Sequence, residues 1–332
     1  MPALLQARYA ERGAVPQAVI EAVPFELPAL KAGEVVLEVL AAPINPSDVL
    51  TLTGQYGSLP PLPAVGGNEG VGRVVELGPD TTAIAVGQVV LLPVGSGTWT
   101  THMIAEAARL IALPDVADYQ QLSMLAVNPP TAALLLSDFV DLQPGDWIIQ
   151  NAANSAVGSY VIQLAAMRGI RTVNVVRRDS AVAGVKALGG DVVVVEGEDL
   201  VAQVKAATGD AAIKLAIDAV GGASTRRLAA TLAQSATVVT YGALSGAPAE
   251  LSARDLVFND VTAKGFWLAR WFRTTSPAQQ GKLFAELAGL VAQGKLSAPV
   301  EASYGLSRIK EAVAAAAKGE RGGKILLTPN IE

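Results

Sequence analysis

The chain has 332 residues, about half of them apolar, with a formal net charge of −5 and no cysteine. This composition is typical of a soluble globular protein with room for two domains, and it excludes disulfides, thiolate nucleophiles and cysteine-based zinc sites. Lysine and arginine are scattered singly, which gives no electrostatic footprint for nucleic acid. Because no apolar run could span a bilayer uninterrupted and the N-terminus lacks a signal-peptide pattern, we expect a cytoplasmic protein with no membrane partner.

The beginning of the chain, up to about residue 122, is punctuated by glycine and proline and carries short apolar runs typical of β-strands. The predicted strands are residues 35–40, 70–77 and 86–92. Loops at 43–48 and 54–57, and a glycine-rich stretch at 66–70, lie between them. We expect a compact β-rich domain whose loops carry the chemistry.

From about residue 120 the apolar period changes, and short apolar runs alternate with helical stretches. The predicted elements are helices 131–139 and 277–293, and strands 147–150, 172–176, 192–195, 213–217, 237–241 and 261–266. This alternation is typical of a doubly wound parallel sheet, which binds ligands at the carboxyl edge of its strands. A last helix at 307–317 and strand at 324–327 are expected to return to the first domain. The predicted domains are therefore 1–122 with 299–332, and 123–298.

The turn after the strand at 147–150 consists of small residues, 151–158, and precedes a helical segment. Such a turn lets backbone N–H groups approach a pyrophosphate at the positive end of the helix. Aligned on Gly158, the dinucleotide fingerprint finds Ala153 and Ser155 in place of its first two glycines. Since small side chains still permit close approach, we favour a dinucleotide site over an ordinary packing turn.

Arg177 and Arg178 end the second strand of this unit, where an NAD-binding fold carries an acidic residue about 20 residues after the turn. Guanidinium groups at that position would pair with a 2′-phosphate, so the sequence favours NADPH over NADH. Two solvated arginines at a strand end are the alternative, and Asp179 dilutes the local positive charge.

Five further stretches occur together in a characteristic order, at residues 41–48, 56–57, 62–70, 150–158 and 265–268. With them the chain resembles the medium-chain dehydrogenase/reductase superfamily almost end to end. Within that superfamily it is similar to the zinc-independent trans-2-enoyl thioester reductases of the mitochondrial enoyl-CoA/acyl-carrier-protein type. The resemblance implies an α/β protein with a β-rich GroES-like catalytic domain and a Rossmann doubly wound parallel-sheet cofactor domain.

The resemblance also bears on metal binding and on the proton donor. Zinc-dependent members carry Gly-His-Glu where this chain has Gly67-Asn68-Glu69, and His102 is its only histidine. We therefore expect no metal, with protein hydrogen bonds in place of Lewis-acid polarisation and a structural role for His102. The resemblance makes Tyr56 the proton donor or enolate stabiliser, which is chemically sound because a phenol stays protonated at pH 7. A surface turn tyrosine is the structural alternative.

A set of cofactor and substrate contacts follows from the resemblance as well. The implied cofactor contacts are Asn128, Asn154, Ser155, Ala156, Val157, Gly158, Arg177, Arg178, Tyr241, Gly242, Ala243, Leu244, Phe266, Trp267, Leu268 and Lys324. The implied substrate pocket, in a cleft between the domains, contains Asn45, Asn68 and Trp267. Loop stabilisation is an equal alternative for the asparagines. Sheet core is the alternative for the aromatic pair, and simple exposure is the alternative for the lysine.

The sequence as a whole predicts an NADPH-dependent enzyme that reduces the conjugated C=C bond of a trans-2-enoyl thioester, carried on CoA or on acyl carrier protein. A quinone or alkenal reductase of the same architecture is the runner-up, and a non-catalytic NADPH-binding protein is a third interpretation. The run at 261–267 is expected to come last in the sheet. Because an unprotected apolar edge strand is usually covered by a partner, and because dimers are usual in the resembling family, we expect a homodimer.

Overall fold

The computed structural model describes residues 3–114 and 118–331; the portions of the predicted domains at residues 1–2, 115–117 and 332 lie outside the described residues. The first elements are β1 Leu5–Tyr9, β2 Glu21–Pro24, β3 Glu34–Ile44, α1 Pro46–Thr53, β4 Ala64–Val65, β5 Val71–Leu77, β6 Val89–Leu91, β7 His102–Glu106, β8 Ile111–Ala112 and α2 Tyr119–Ser123. The next are α3 Asn128–Ser137, β9 Trp147–Gln150, α4 Ala156–Met167, β10 Arg171–Val176, α5 Val182–Ala187, β11 Val192–Val195, α6 Leu200–Thr208, β12 Ile213–Asp218, α7 Gly222–Ala229, β13 Thr237–Thr240, α8 Ala253–Val257, β14 Thr262–Gly265 and α9 Leu268–Thr274. The last are α10 Pro277–Ala292, β15 Val300–Tyr304, α11 Ile309–Ala317 and β16 Lys324–Leu327.

The chain divides into two compact units, and the second, Asn128–Gln280, interrupts the first. The predicted boundaries, after residues 122 and 298, differ from this division. Residues around α2 belong to the first unit because the Gln121 side chain donates to the Ala298 carbonyl at 3.0 Å and accepts from the Ala298 N–H at 2.9 Å. The Val127 N–H likewise donates to the Glu69 carboxylate at 2.8 Å.

The first unit is β-rich, as predicted. Among its described residues, a large sheet has the order β15-β16-β3-β5-β6-β8, with β7 also paired to β3, and a smaller sheet has the order β2-β1-β4. Residues Val35, Leu37 and Val39 of β3 alternate into the core, as the period of a strand requires. Strand β16 pairs antiparallel with β3, setting Ile325 opposite Ile44. Strand β16, near the end of the chain, therefore belongs to a sheet of the first unit.

The second unit contains a parallel sheet of strand order β11-β10-β9-β12-β13-β14 across its described residues. This is the order of a Rossmann fold, which confirms the predicted fold class. The four inner strands, β10, β9, β12 and β13, are mostly buried and correspondingly rich in valine and isoleucine, as in Ile149, Val173 and Val238 of the core. The strand order reverses between β9 and β12, and the carboxyl ends of these two strands form the topological switch point.

The edge strand β14 comes last in this sheet, as predicted, with all four of its residues exposed. The predicted strand at 86–92 is shorter in the structure, because Val86 is 60% exposed and Gly87 takes a φ of +88° in a turn. Across the residues that the structure describes, every helix is too short or too polar to cross a bilayer.

Candidate cofactor and catalytic residues

The turn at residues 151–158 joins β9 to the 12-residue helix α4. Ser155 is the N-cap of this helix, and its hydroxyl oxygen accepts the Gly158 N–H at 3.1 Å. A Cβ on Gly158 would lie 2.5 Å from the Ala153 carbonyl oxygen, so only glycine permits this packing. The left-handed residue of the turn is Ala152, with a φ of +47°. A small-residue turn at the positive end of a long helix fits the pyrophosphate of a dinucleotide.

Tyr241 follows β13 and brings a second predicted cofactor segment to this turn. Its phenol lies near the Ser155 side chain. Burial raises the pKa of Tyr241 above its ordinary value of 10.0, and the Asp218 carboxylate adds to the increase while the Ser155 side chain opposes it. The phenol is therefore neutral at physiological pH. Gly242 packs closely too, since a Cβ there would lie 2.8 Å from the Ala219 carbonyl oxygen.

Asn151 directly follows β9 and Asp218 ends the adjacent strand β12, and the two residues meet at the switch point. The Asn151 Nδ2 donates to Asp218 Oδ1 at 2.7 Å. The other donors to this fully buried carboxylate are Val220 N–H at 3.0 Å, Gly221 N–H at 3.0 Å, Thr225 Oγ1 at 2.7 Å and Thr240 Oγ1 at 3.0 Å. Sequence reasoning missed this network. The available signal was a carboxylate ending an otherwise apolar strand of a parallel sheet.

The remaining predicted cofactor residues of the second unit lie at strand and helix ends. Arg177 is exposed and Arg178 half-buried, and both follow β10 directly. Phe266 and Trp267, between β14 and α9, and Leu268, the first residue of α9, are half-buried. Asn128, another residue implied by the resemblance, is buried at the start of α3. Asn154, Ala156 and Val157 lie in the turn or the first turn of α4, and Ala243 and Leu244 lie in the exposed loop after β13. Their contacts with a cofactor stay predictions.

The first unit contains a group of interacting polar residues, Asn45, Asp48, Asn68, Glu69 and Lys324, which we call the polar cluster. Asn45 Nδ2 donates to Glu69 Oε1 at 2.7 Å, and Asn68 Nδ2 donates to Asp48 Oδ1 at 2.7 Å. Lys324 Nζ donates to Asn45 Oδ1 and to the Ile44 carbonyl. The cluster thus joins the end of β3, the start of α1, the loop before β5 and the returning strand β16.

Charge in the polar cluster is governed by burial. Burial raises the pKa of Glu69 to about 7 and that of Asp48 to about 6, with the Lys324 ammonium opposing both increases. Burial lowers the pKa of Lys324 to about 8, and the two carboxylates oppose that decrease. The interpretation of Lys324 as a simply exposed residue is wrong, because only 7% of it is exposed. Its predicted contact with the cofactor stays a prediction.

Tyr56 lies in the turn that follows α1, after the C-cap Gly54 with its φ of +77°. The Tyr56 N–H donates to the Leu50 carbonyl at 3.2 Å, and the residue is half-buried. At the other end of the same helix, the Asn45 N–H donates to Asp48 Oδ2 at 2.7 Å. Helix α1 therefore has the polar cluster at its start and the predicted proton donor after its end.

Metal ligands of the usual kind do not assemble in the described residues 3–114 and 118–331, which hold no group of three or more His, Cys, Asp or Glu side chains able to bind a metal ion. Asn68, at the position of the zinc-binding histidine, instead bonds to Asp48. The absence of a metal requirement stays a prediction.

Comparison with known proteins identifies the family. Residues 31–115 match the alcohol dehydrogenase GroES-like domain, and residues 156–281 match the zinc-binding dehydrogenase model. The chain is 40% identical over 319 residues to the human mitochondrial enoyl-[acyl-carrier-protein] reductase, covering 94% of this chain and 86% of that protein. The chain belongs to the enoyl thioester reductases of the medium-chain dehydrogenase/reductase superfamily.

Solved structures show the same fold over almost the whole enzyme. The Etr1p complex with NADP and crotonyl-CoA has a TM-score of 0.89 at 28% identity, covering 98% of this chain and 100% of that one. The Candida tropicalis Etr1p/Etr2p heterodimer, a mitochondrial 2-enoyl thioester reductase, has a TM-score of 0.88 at 27% identity, with coverage of 98% and 100%. A putative NADPH:quinone reductase from Bacillus thuringiensis has a TM-score of 0.87 at 28% identity, with coverage of 98% and 99%.

One prediction about the enzyme is corrected by these relatives. A cytoplasmic location was expected from the absence of a signal-peptide pattern. The human, rat and Caenorhabditis elegans relatives, each 40% identical to this chain, are all mitochondrial proteins. The cytoplasmic prediction is therefore wrong: a sequence pattern at one end of a chain is a poorer guide to location than the relatives of its folded region.

Proposed function

We propose that this reductase uses NADPH to reduce the conjugated C=C bond of a trans-2-enoyl thioester, carried on CoA or on acyl carrier protein. The observation that carries the proposal is the end-to-end match to enoyl thioester reductases, one of which is solved with NADP and crotonyl-CoA. The second unit adds independent support, because its Rossmann sheet presents a small-residue turn at a helix N-terminus.

In this proposal the turn at 151–158 holds the pyrophosphate, and Arg177 and Arg178 pair with the 2′-phosphate. When bound, NADPH supplies the hydride for the β-carbon of the substrate. Ser155 caps α4 through the Gly158 N–H, and the Tyr241 phenol of the loop after β13 lies near Ser155. The protein thereby presents an ordered set of N–H and O–H groups without having to reorganise on binding.

Reduction at the β-carbon leaves negative charge on the thioester oxygen and the α-carbon. We assign Tyr56 to donate a hydrogen bond or the proton to this enolate. One amide N–H of Asn45 points to Glu69, and one of Asn68 points to Asp48. This favours the loop-stabilising interpretation of both asparagines, with the polar cluster anchoring the start of the helix that precedes Tyr56.

The alternative function is reduction of quinones or alkenals. The similarity to the putative NADPH:quinone reductase from Bacillus thuringiensis supports this alternative. The decisive experiment follows NADPH oxidation against crotonyl-CoA, longer enoyl-CoAs, quinones and alkenals. We expect kcat/KM to be highest for an enoyl-CoA and to fall when the CoA is replaced by a short thiol. Preference for quinones or alkenals would establish the runner-up. NADPH binding without oxidation of any acceptor would establish the non-catalytic interpretation.

We also propose that the enzyme is a homodimer whose two copies join at β14. Among the described residues the outer edge of this strand has no strand partner, and its four residues are exposed. Val257 and Phe258, which precede it, are 69% and 77% exposed. A second copy would cover both the strand edge and this apolar surface. The solved Etr1p/Etr2p heterodimer supports association in the family.

A further inference from the structure

The Asp218 carboxylate lies at the switch point, where the proposed cofactor site is built, yet it is not among the predicted cofactor contacts. We propose that Asp218 is a positioning residue of that site, which fixes the loops that contact NADPH without contacting NADPH itself. This inference rests on the proposed cofactor-binding function.

The hydrogen-bonding capacity of the Asp218 carboxylate is used within the protein. Asp218 is fully buried and accepts hydrogen bonds from five donors, none of them charged. Several donors can stabilise a buried carboxyl group, because they replace the water it has lost. With both oxygens occupied, the side chain has its hydrogen-bonding capacity directed at the protein, which suits an indirect role.

The donors to the Asp218 carboxylate come from separate segments of the second unit. Asn151 begins the small-residue turn, and Gly221 belongs to the loop between β12 and α7. Thr240 is the last residue of β13, directly before Tyr241. The Asp218 backbone carbonyl also accepts the Tyr241 N–H at 2.9 Å. One residue therefore bonds to the starts of three loops at the carboxyl edge of the sheet, the edge at which such folds bind ligands.

These loops are also hydrogen-bonded to each other. Asn151 Oδ1 accepts the Ala219 N–H at 2.8 Å, which locks the amide orientation that points Nδ2 at Asp218. The Ser245 hydroxyl donates to the Val220 carbonyl at 2.7 Å. The Tyr241 phenol lies near Ser155, the N-cap of α4. Displacement of the Asp218 carboxylate would thus disturb the loops around the proposed pyrophosphate position.

The sheet itself does not require this carboxyl group. Strand β12 is already held by backbone ladders to β9 and β13, and its neighbouring residues Leu215, Ala216 and Ile217 are fully buried apolar groups. Burying a polar group has a desolvation cost that an apolar side chain at the same position avoids. The carboxylate is explained by the need to hold several N–H and O–H donors from different loops at one point.

The test is Asp218→Asn, which keeps the shape but places amide hydrogens against some of the donors. We expect the Kd for NADPH, measured by fluorescence titration of the full-length enzyme, to rise about 10- to 100-fold. The kcat at saturating NADPH and the KM for the enoyl substrate should stay within about threefold of wild type. The matched control is Asp255→Asn, since Asp255 is a buried aspartate of the same unit, bonded to Ser252 near α8. It should leave NADPH binding unchanged.

A milder variant keeps the inference testable if Asp218→Asn does not fold. Thr225→Val removes one hydroxyl donor while keeping the charge, and it should weaken NADPH binding about three- to tenfold. Wild-type Kd values in the folded Asp218→Asn protein, or in Thr225→Val where the first does not fold, would overturn the inference. An equal weakening in Asp255→Asn would overturn it too, by showing a general loss of stability. A wild-type enzyme that failed to bind NADPH would instead refute the proposed function.

Discussion

The side-chain amide of Asn68 donates a hydrogen bond to Asp48 Oδ1 over 2.7 Å. The residue that stands where zinc-dependent relatives carry a histidine is thus bonded inside the protein. A carboxamide is a poor zinc ligand beside histidine and cysteine, and this chain has no cysteine with which to complete a site. The contact engages the Asn68 carboxamide with a carboxylate of the protein.

We expect activity to be independent of metal. Dialysis against EDTA should leave the rate of NADPH oxidation unchanged, because the described residues offer no set of three metal-binding side chains. Added zinc should give no increase. Loss of activity on chelation, restored by zinc, would contradict the prediction.

Tyr56→Phe should lower kcat by about 10²- to 10³-fold, with kcat/KM falling in parallel, because it removes a donor used mainly in the transition state. NADPH binding should be unchanged. The control is Tyr304→Phe, a half-buried tyrosine on β15 whose ring contacts Arg308. Its kcat should stay within about twofold of wild type. If Tyr56→Phe behaved like this control, Tyr56 would be a structural turn residue.

Replacing Arg177 and Arg178 together by alanine should weaken NADPH binding by about 1.5 to 3 kcal/mol, the value of a charge-assisted bond to the 2′-phosphate. NADH has no such phosphate, so its Kd should be unaffected. Arg171→Ala is the control, since Arg171 begins the same strand and is paired with Asp191. Equal losses for the two cofactors, or a wild type that prefers NADH, would refute the assignment.

The polar cluster predicts a specific pH dependence of stability. Burial raises the pKa of Glu69 from an ordinary 4.5 to about 7, so in that interval the folded protein holds a proton that the unfolded chain has released. The free energy of unfolding contributed by this group therefore falls as pH rises through the interval. Glu69→Gln lacks this proton, so its stability should decrease less between pH 5 and 7.5 than that of wild type.

Urea denaturation at several pH values measures this difference. Asp48 shifts in the same direction and remains in the variant, so the slope should shrink without vanishing. Glu76→Gln, on an exposed position of β5, should keep the wild-type slope. A wild-type slope in Glu69→Gln would show that this carboxyl stays ionised throughout the interval.

The homodimer proposal is checked by light scattering at micromolar concentration, where we expect twice the chain mass. Ala263→Pro removes a backbone donor from the exposed edge strand, and with Phe258→Glu it should shift the particle towards monomer. Val86→Glu, at an exposed apolar residue of the other unit, should leave the dimer intact. A wild type that is monomeric under these conditions would exclude the proposed assembly.

Much of the fold could be predicted because its local signals are strong. The strands at 147–150, 192–195 and 324–327 coincide with β9, β11 and β16, since each is a short apolar run bounded by turn residues. The parallel arrangement of the sheet follows from the same alternation of strands and helices. The domain boundaries differed because the Gln121 bonds to Ala298, which assign α2 to the first unit, link residues far apart in sequence.

The site was less predictable than the fold, for a related reason. The turn around Ser155 is one continuous stretch of the sequence, so its small residues and the helix that follows them predict the site. Lys324 and Asn45 meet only because β16 pairs with β3, and no local sequence pattern near either residue predicts the polar cluster. Asp218 looks like an ordinary strand end until its five donors are brought together by folding.

The position of Lys324 also fixes an order of events during synthesis. Its ammonium is the cation that opposes the buried charges of Asp48 and Glu69, and it follows the whole of Asn128–Gln280 along the chain. As the polypeptide leaves the ribosome, Lys324 follows both carboxylates of the first unit and the whole of the second unit. The second unit can fold in the meantime, since domains fold as units during translation. It can therefore be complete before β16 joins the sheet that holds the polar cluster.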